Sequence, residues 1–147
     1  MNLRIIDEIA DADARAGNCL RALSLEESKK VRNELAARYG CGDGQPFTYQ
    51  TISGTDGFRS NDGWRLIPEF IGTGEVLFFL NPDQTLTVWR CPSAKWLTEL
   101  LADCFGFPFY AASTDLESLF CFDDHDCVLV GGRALAQIAI LKPPTPD

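Results

Sequence analysis

Apolar side chains recur at helical spacing from the start of the chain. Ile5, Ile6 and Ile9 fall on one helical face and Asp7 on another, which predicts a helix over residues 3–16. A second helix is expected to begin after a capping box, because Ser24 is followed three residues later by a glutamate. Its buried stripe continues through Val31, Leu35 and Tyr39, and the glycine at position 40 suits the left-handed conformation that ends a helix.

The pattern changes to that of strands in the second half. Residues 75–80 consist of Glu75 and a continuous apolar run, which predicts a central strand covered on both faces. Residues 81–84 have turn chemistry, and residues 85–90 alternate between apolar and polar as a half-exposed strand does. These three segments together predict an antiparallel hairpin.

Another helix and three more strands are expected after the hairpin. Pro92 and Ser93 open a helix whose apolar positions recur with helical spacing as far as Phe105. Strands are predicted near residues 107–112, 118–122 and 127–130.

The remaining segments read as irregular. Residues 41–63 are rich in glycine, serine, threonine and aspartate, which predicts loops with one short strand over residues 47–52. Residues 142–147 contain three prolines, which cannot continue a helix, and we expect a loose tail there.

The whole pattern predicts an α+β fold in a single domain over residues 1–147. In it an antiparallel sheet of about four to six strands carries two N-terminal helices and one inserted helix packed on it. Residues 1–40 are expected to be helical, 41–63 loop-rich, and 64–141 to form the sheet with its inserted helix.

Composition supports a folded, non-membrane protein. The 147 residues are 46% hydrophobic and 23% charged, values ordinary for a globular domain. No apolar run reaches the length of a membrane helix, and acidic residues interrupt the start before a signal peptide could form. We therefore expect a cytoplasmic protein without membrane contacts. In that compartment its six cysteines, none spaced as C-x-x-C, are expected to be reduced thiols that pack as small hydrophobes.

The segment from Cys121 to Cys127 holds the densest group of reactive side chains, because Asp123, Asp124, His125 and Asp126 lie between the two cysteines. It reads either as an acidic, solvated turn between strands or as the centre of a metal-dependent or cysteine/histidine enzyme. We favour the turn, and we predict no catalytic residue, no metal and no cofactor.

Negative charge concentrates in the last third of the chain. Residues 97–147 carry eight acidic residues and two basic ones, and no basic residue occurs between Lys95 and Arg133. Such a field repels nucleic acid and attracts a basic protein. The partner-binding residues expected from this distribution are Asp115, Glu117, Asp123, Asp124, His125 and Asp126.

The second half of the chain also resembles an uncharacterised bacterial family. The resemblance lies in a GF-x-FY pattern at residues 106–110, a strand ending in Cys121 and Phe122, and the His125-Asp126 pair before a glycine pair. By size, acidity and α+β character the chain is further similar to the small immunity proteins that bacteria use against toxins. That likeness implies a non-enzymatic binder that neutralises a basic toxin or another basic protein. The enzyme centred on residues 121–127 is the alternative.

Overall fold

The computed structural model describes residues 3–40, 47–48, 51–104, 106–123 and 125–141. Within them the chain has an α+β fold with one seven-stranded, fully antiparallel sheet and five α-helices. The α-helices are α1 (Leu3–Ala16), α2 (Leu25–Arg38), α3 (Ile67–Ile71), α4 (Ala94–Ala102) and α5 (Ile138–Leu141). The strands are β1 (Arg21–Ala22), β2 (Thr55–Arg59), β3 (Val76–Phe79), β4 (Val88–Cys91), β5 (Phe109–Ser113), β6 (Ser118–Phe122) and β7 (Cys127–Gly132).

The strands lie in the order β1-β4-β3-β5-β6-β7-β2, so β3, β5 and β6 occupy the middle of the sheet. All residues of these three strands are buried except Ser113, which is half-buried. The predicted hairpin is confirmed, because β3 and β4 are antiparallel neighbours with Phe78 opposite Trp89. The predicted burial of residues 75–80 is confirmed for residues 76–80, whereas Glu75 is exposed.

Helices cover both faces of the sheet. On one face α1, α3 and α4 pack over a cluster that includes Phe78, Phe109 and Phe120. On the opposite face Leu35 of α2 packs over a second cluster that includes Phe79. Alternate residues along each central strand therefore serve two separate cores, as the period of two in a strand requires.

The α2 helix is held to its face of the sheet by polar contacts as well as apolar ones. The guanidinium of Arg32 is buried, where Nε donates to the Leu86 carbonyl at 3.0 Å and Nη2 to those of Leu80 (3.0 Å) and Thr85 (2.9 Å). Burial lowers the pKa of Arg32 to about 10. One turn earlier in the helix, the Ser28 hydroxyl accepts the Val88 N–H at 3.0 Å, which fixes the start of β4.

The two ends of α2 follow the sequence pattern. The Ser24 hydroxyl accepts the Glu27 N–H at 3.1 Å, as the predicted cap requires. At the other end Gly40 adopts a φ of 75°, in the left-handed region. The Tyr39 hydroxyl then donates to the Leu116 carbonyl at 3.1 Å, so the end of α2 is tied to the turn between β5 and β6.

The sheet is larger than predicted because two strands pair at its edges. The two-residue strand β1 pairs with β4 at one edge. At the other edge β2, which lies in the segment predicted to be loop-rich, pairs with β7. A Cβ atom at Gly57 would lie 1.9 Å from the Val128 carbonyl oxygen, so this pairing requires glycine. The strand predicted over residues 47–52 is wrong for those of its residues that the structure describes, since 47–48 and 51–52 are not in a strand. Residues 49–50 and the predicted tail at 142–147 lie outside the described residues.

The helical layer also differs from the prediction. Residues 67–71 form α3, whose Ile67 and Phe70 are buried, although five residues are too few to show a helical period in the sequence. The inserted helix α4 ends at Ala102, whereas the pattern suggested Phe105, a residue that lies outside the described part. No helix in the ranges given above is both long enough and apolar enough to cross a membrane.

The core assignment of α4 gives a stability prediction. Leu100 is 2% exposed and packs in the cluster beneath α1 and α3, so Leu100→Ala should lower the free energy of unfolding by about 2–5 kcal/mol. The matched control is Leu25→Ala in α2, where the side chain is 59% exposed and the expected change is within about 0.5 kcal/mol. Urea denaturation of both variants checks this. Equal losses in the two variants would show that Leu100 is not a core residue.

Candidate functional site

Five of the six residues predicted to bind a partner are described, and they fall at opposite ends of β6. Asp115 and Glu117 lie in the turn that precedes the strand, whereas Asp123, His125 and Asp126 lie in or beside the turn that follows it. Five strand residues separate the two turns by roughly 17 Å at about 3.3 Å per residue. The structure therefore does not bring the predicted set together, and Asp124 lies outside the described residues.

At the β5–β6 turn the acidic charge is already paired with basic side chains. Asp115 forms an ion pair with Arg133, and Glu117 lies 3.5 Å from a guanidinium nitrogen of Arg38. The Asp115 carboxylate also accepts from the Ser113 hydroxyl at 2.7 Å and from the Glu117 N–H at 3.0 Å. These two acids therefore hold the turn and are partly neutralised.

These contacts set the titration of Asp115. The pKa of this carboxyl is lowered to about 2. The main cause is the hydrogen bond from the Ser113 hydroxyl, and the Glu117 N–H and Arg133 contribute as well. Because the pKa is depressed in the folded protein, any stabilisation from the charged carboxylate is present at neutral pH. It is lost only as the pH falls towards that value.

At the β6–β7 turn, Asp123 is a structural residue. The prediction of an acidic, solvated turn is wrong for Asp123, since this residue is only 9% exposed. One carboxylate oxygen accepts the His125 N–H at 2.8 Å and the Cys127 N–H at 3.0 Å. The charge can be buried because two backbone donors replace its hydration, the arrangement of an Asx-turn.

The outer side of the same turn presents polar side chains. The His125 side chain is exposed, and Asp126 is half-buried with a φ of 59°. The Asp126 carbonyl accepts the Ser60 N–H at 2.8 Å, which attaches the loop that follows β2 and carries the exposed Asp62. We call Asp62, His125 and Asp126 the turn surface. In the described part of the chain neither Asp62 nor Asp126 is joined to a cation by an ion pair.

Asp62 is absent from the predicted set because it lies more than sixty residues before the turn it joins. The pairing of β2 with β7 brings it there, with Arg59 opposite Cys127. The strand Thr55–Arg59 contains a single apolar residue, Phe58, so its sequence shows no alternation that would have predicted it.

The cysteines beside the turn are poorly suited to act as nucleophiles. Cys121 is 1% exposed, and burial raises the pKa of its thiol far above the usual range. Burial and the nearby Asp123 raise the pKa of the half-buried Cys127 thiol. Both thiols are therefore protonated at neutral pH, whereas the nucleophilic form of cysteine is the thiolate.

The other described cysteines are free thiols too. Cys91 is buried, Cys19 and Cys104 are half-buried, and burial raises the pKa of Cys104 to about 11. Cys91 and Cys104 pack in or against the hydrophobic core, as expected of small hydrophobes, whereas Cys19 belongs to neither core cluster and Cys41 lies outside the described part. Among the residues that the structure describes, no three histidine, cysteine, aspartate or glutamate side chains are grouped so that they could hold a metal ion.

Comparison with known proteins adds no relative. The chain matches no protein-family model, and no curated protein is detectably similar to it. The resemblance to an uncharacterised bacterial family and to immunity proteins therefore stays a prediction.

The two acids of the turn should respond differently to mutation. Asp123→Ala removes the acceptor for two backbone N–H groups, and we expect a loss of about 1–3 kcal/mol in the free energy of unfolding. Asp126→Asn should change stability by no more than about 0.5 kcal/mol, because asparagine tolerates a positive φ. Thermal or urea denaturation distinguishes them. An Asp123→Ala variant as stable as Asp126→Asn would contradict the structural role of Asp123.

Proposed function

We propose that the protein is a non-enzymatic binding protein whose partner is a basic protein, and that it binds this partner through the turn surface. The observation that carries the proposal is the structure of the β6–β7 turn. The Asp123 carboxylate accepts two backbone N–H groups within the turn. Asp62 and Asp126, by contrast, form no ion pair in the described part of the chain. This function is the one implied by the resemblance to immunity proteins.

The charge of the protein supports a basic partner. The chain has a net charge of −8 at pH 7, a field that speeds the association of a cationic protein and opposes the approach of nucleic acid. At the β5–β6 end of β6, Arg38 and Arg133 neutralise the local acids. Among the described residues the β6–β7 end has no such ion pairs to Asp62 and Asp126, although Arg59 lies opposite Cys127 at the same end.

Backbone hydrogen bonds of the described turn residues also favour binding. The Asp123 carboxylate fixes two N–H groups of the turn, and Ser60 fixes the Asp126 carbonyl. A binding loop whose backbone is already ordered loses less conformational entropy when it meets its partner. The enzyme alternative has less support, because Cys121 is buried and protonated while the His125 side chain faces outward.

The proposal is tested with a short oligolysine peptide as the probe, titrated into the protein at low and at high salt. Asp62→Asn/Asp126→Asn should weaken binding about threefold or more at low salt, since an exposed charge pair contributes about 0.2–1 kcal/mol. The loss should shrink at high salt because salt screens exposed charges.

The matched control changes the net charge by the same amount at the other end of β6. The double variant Glu69→Gln/Glu117→Gln removes two acids near the β5–β6 turn. It should weaken binding of the peptide less than Asp62→Asn/Asp126→Asn does. If both double variants weaken binding of the peptide equally, the peptide is attracted by the overall charge of the protein, and the turn surface is not the binding site.

A further inference from the structure

A cavity of about 500 Å³ opens at the end of the sheet where β6 begins. Its lining comes mainly from α3, from the start of β6 and from the short 3₁₀-helix Arg133–Gln137, and these three elements contact one another. Several of the lining side chains are polar, namely Glu69, Ser113, Asp115, Ser118, Arg133 and Gln137.

The first residue of β6 contributes an unused hydroxyl to this cavity. Ser118 is only 5% exposed, and the period of two in a strand puts its side chain on the same face as Phe120, which α3 covers. Its N–H donates to the Ser113 hydroxyl at 3.0 Å, but its own hydroxyl has no hydrogen-bond partner in the described part of the chain. The hydroxyl oxygen keeps some accessible surface, so a ligand in the cavity can reach it. Buried polar groups rarely lack a partner, and this one therefore indicates a bound polar group.

Three more polar groups of the lining are available to a ligand. The Arg133 guanidinium donates from Nη2 to Asp115, while its Nε and Nη1 have no partner among the described residues. The half-buried Gln137 amide and the exposed Glu69 carboxylate form no hydrogen bond or ion pair with any described side chain. The cavity thus offers three donor groups and one carboxylate that is not ion-paired.

We propose that this cavity binds a free α-amino acid with a small apolar side chain. The carboxylate of the ligand accepts from the Ser118 hydroxyl and the Arg133 guanidinium, and its ammonium group donates to Glu69. The apolar side chain of the ligand lies against Ile71 and Ala136, which also line the cavity. The volume is within the range of small-molecule sites. The cavity lies at the other end of β6 from the turn surface, so neither proposal depends on the other.

The test is a calorimetric titration of L-valine into the full chain, beside two analogues that each lack one charged group. L-valinamide lacks the carboxylate and should bind at least about tenfold more weakly than valine, the factor for losing a hydrogen bond to a charged group. Isovalerate lacks the ammonium group and should bind about threefold more weakly, because Glu69 is exposed. The proposal is overturned if valine shows no saturable binding or if either analogue binds as tightly as valine.

The variant Ser118→Ala separates binding from stability. The hydroxyl has no partner among the described residues, so its removal should leave the midpoint of urea denaturation unchanged or raised. The affinity for valine should fall about tenfold, because a hydrogen bond to the carboxylate is lost. A folded variant that binds valine as the wild type does would contradict the proposal. A clear loss of stability would contradict it too, since the hydroxyl would then have a structural partner.

Two further variants test whether valine binds in this cavity or elsewhere on the protein. Glu69→Gln should weaken valine about threefold, whereas Glu99→Gln makes the same charge change in a different groove, on α4, and should leave the affinity unchanged. Ala136→Trp, at an exposed position of the lining, should abolish binding while the circular dichroism spectrum stays that of the wild type. Equal losses in the two glutamate variants, or wild-type binding by folded Ala136→Trp, would overturn the proposal.

Discussion

The buried guanidinium of Arg32 is the contact on which the layer formed by α2 depends. A charge in the interior is stabilised only where hydrogen bonds replace its hydration, and three main-chain carbonyls do so here. Those carbonyls belong to residues 80–86, which connect β3 to β4, so one side chain fixes the helix and the connection together. The Phe79 ring, whose centroid lies 5.1 Å from the guanidinium carbon, adds a cation–π contact.

The remaining polar contacts of α2 extend this attachment across the sheet. Ser28 accepts from the first residue of β4, and the Tyr39 hydroxyl donates to the turn before β6. Close packing against Gly131 and Gly132 reinforces the second contact, because a Cβ at either glycine would lie within 3.0 Å of the Tyr39 side chain. A helix with a mainly polar sequence is thus attached to this face of the sheet by polar contacts as well as by Leu35.

The sheet then gives the two ends of β6 different properties. At the β5–β6 turn, arginines from α2 and from the segment after β7 neutralise the acids. At the β6–β7 turn, a buried aspartate orders the backbone, and the described acids of the turn surface have no ion pairs. The acidic segment that looks uniform in the sequence is therefore divided by the fold into an end whose acids are ion-paired and an end where, among the described residues, Asp62 and Asp126 are not.

Local signals predicted the parts of this fold that local chemistry decides. The cap at Ser24, the turn between β3 and β4 and the limits of β6 follow from neighbouring residues. The edge strand β2 and the position of Asp62 could not be predicted in this way, because they depend on pairing with residues about seventy positions away. Two features had a signal that was not used. Arg32 lies three residues before Leu35 on the buried stripe of α2, and an aspartate at the start of a turn commonly bonds the backbone ahead of it.

The most direct test of the account is the stability of Arg32→Met, measured by urea denaturation beside Lys29→Met. Methionine keeps much of the packing but leaves the carbonyls of Leu80, Thr85 and Leu86 without their donors, so the free energy of unfolding should fall by about 3 kcal/mol or more. Lys29→Met alters the exposed side chain one turn earlier and should change it by no more than about 0.5 kcal/mol. An Arg32→Met variant as stable as Lys29→Met would show that α2 is held by its apolar side chains alone, which contradicts the account.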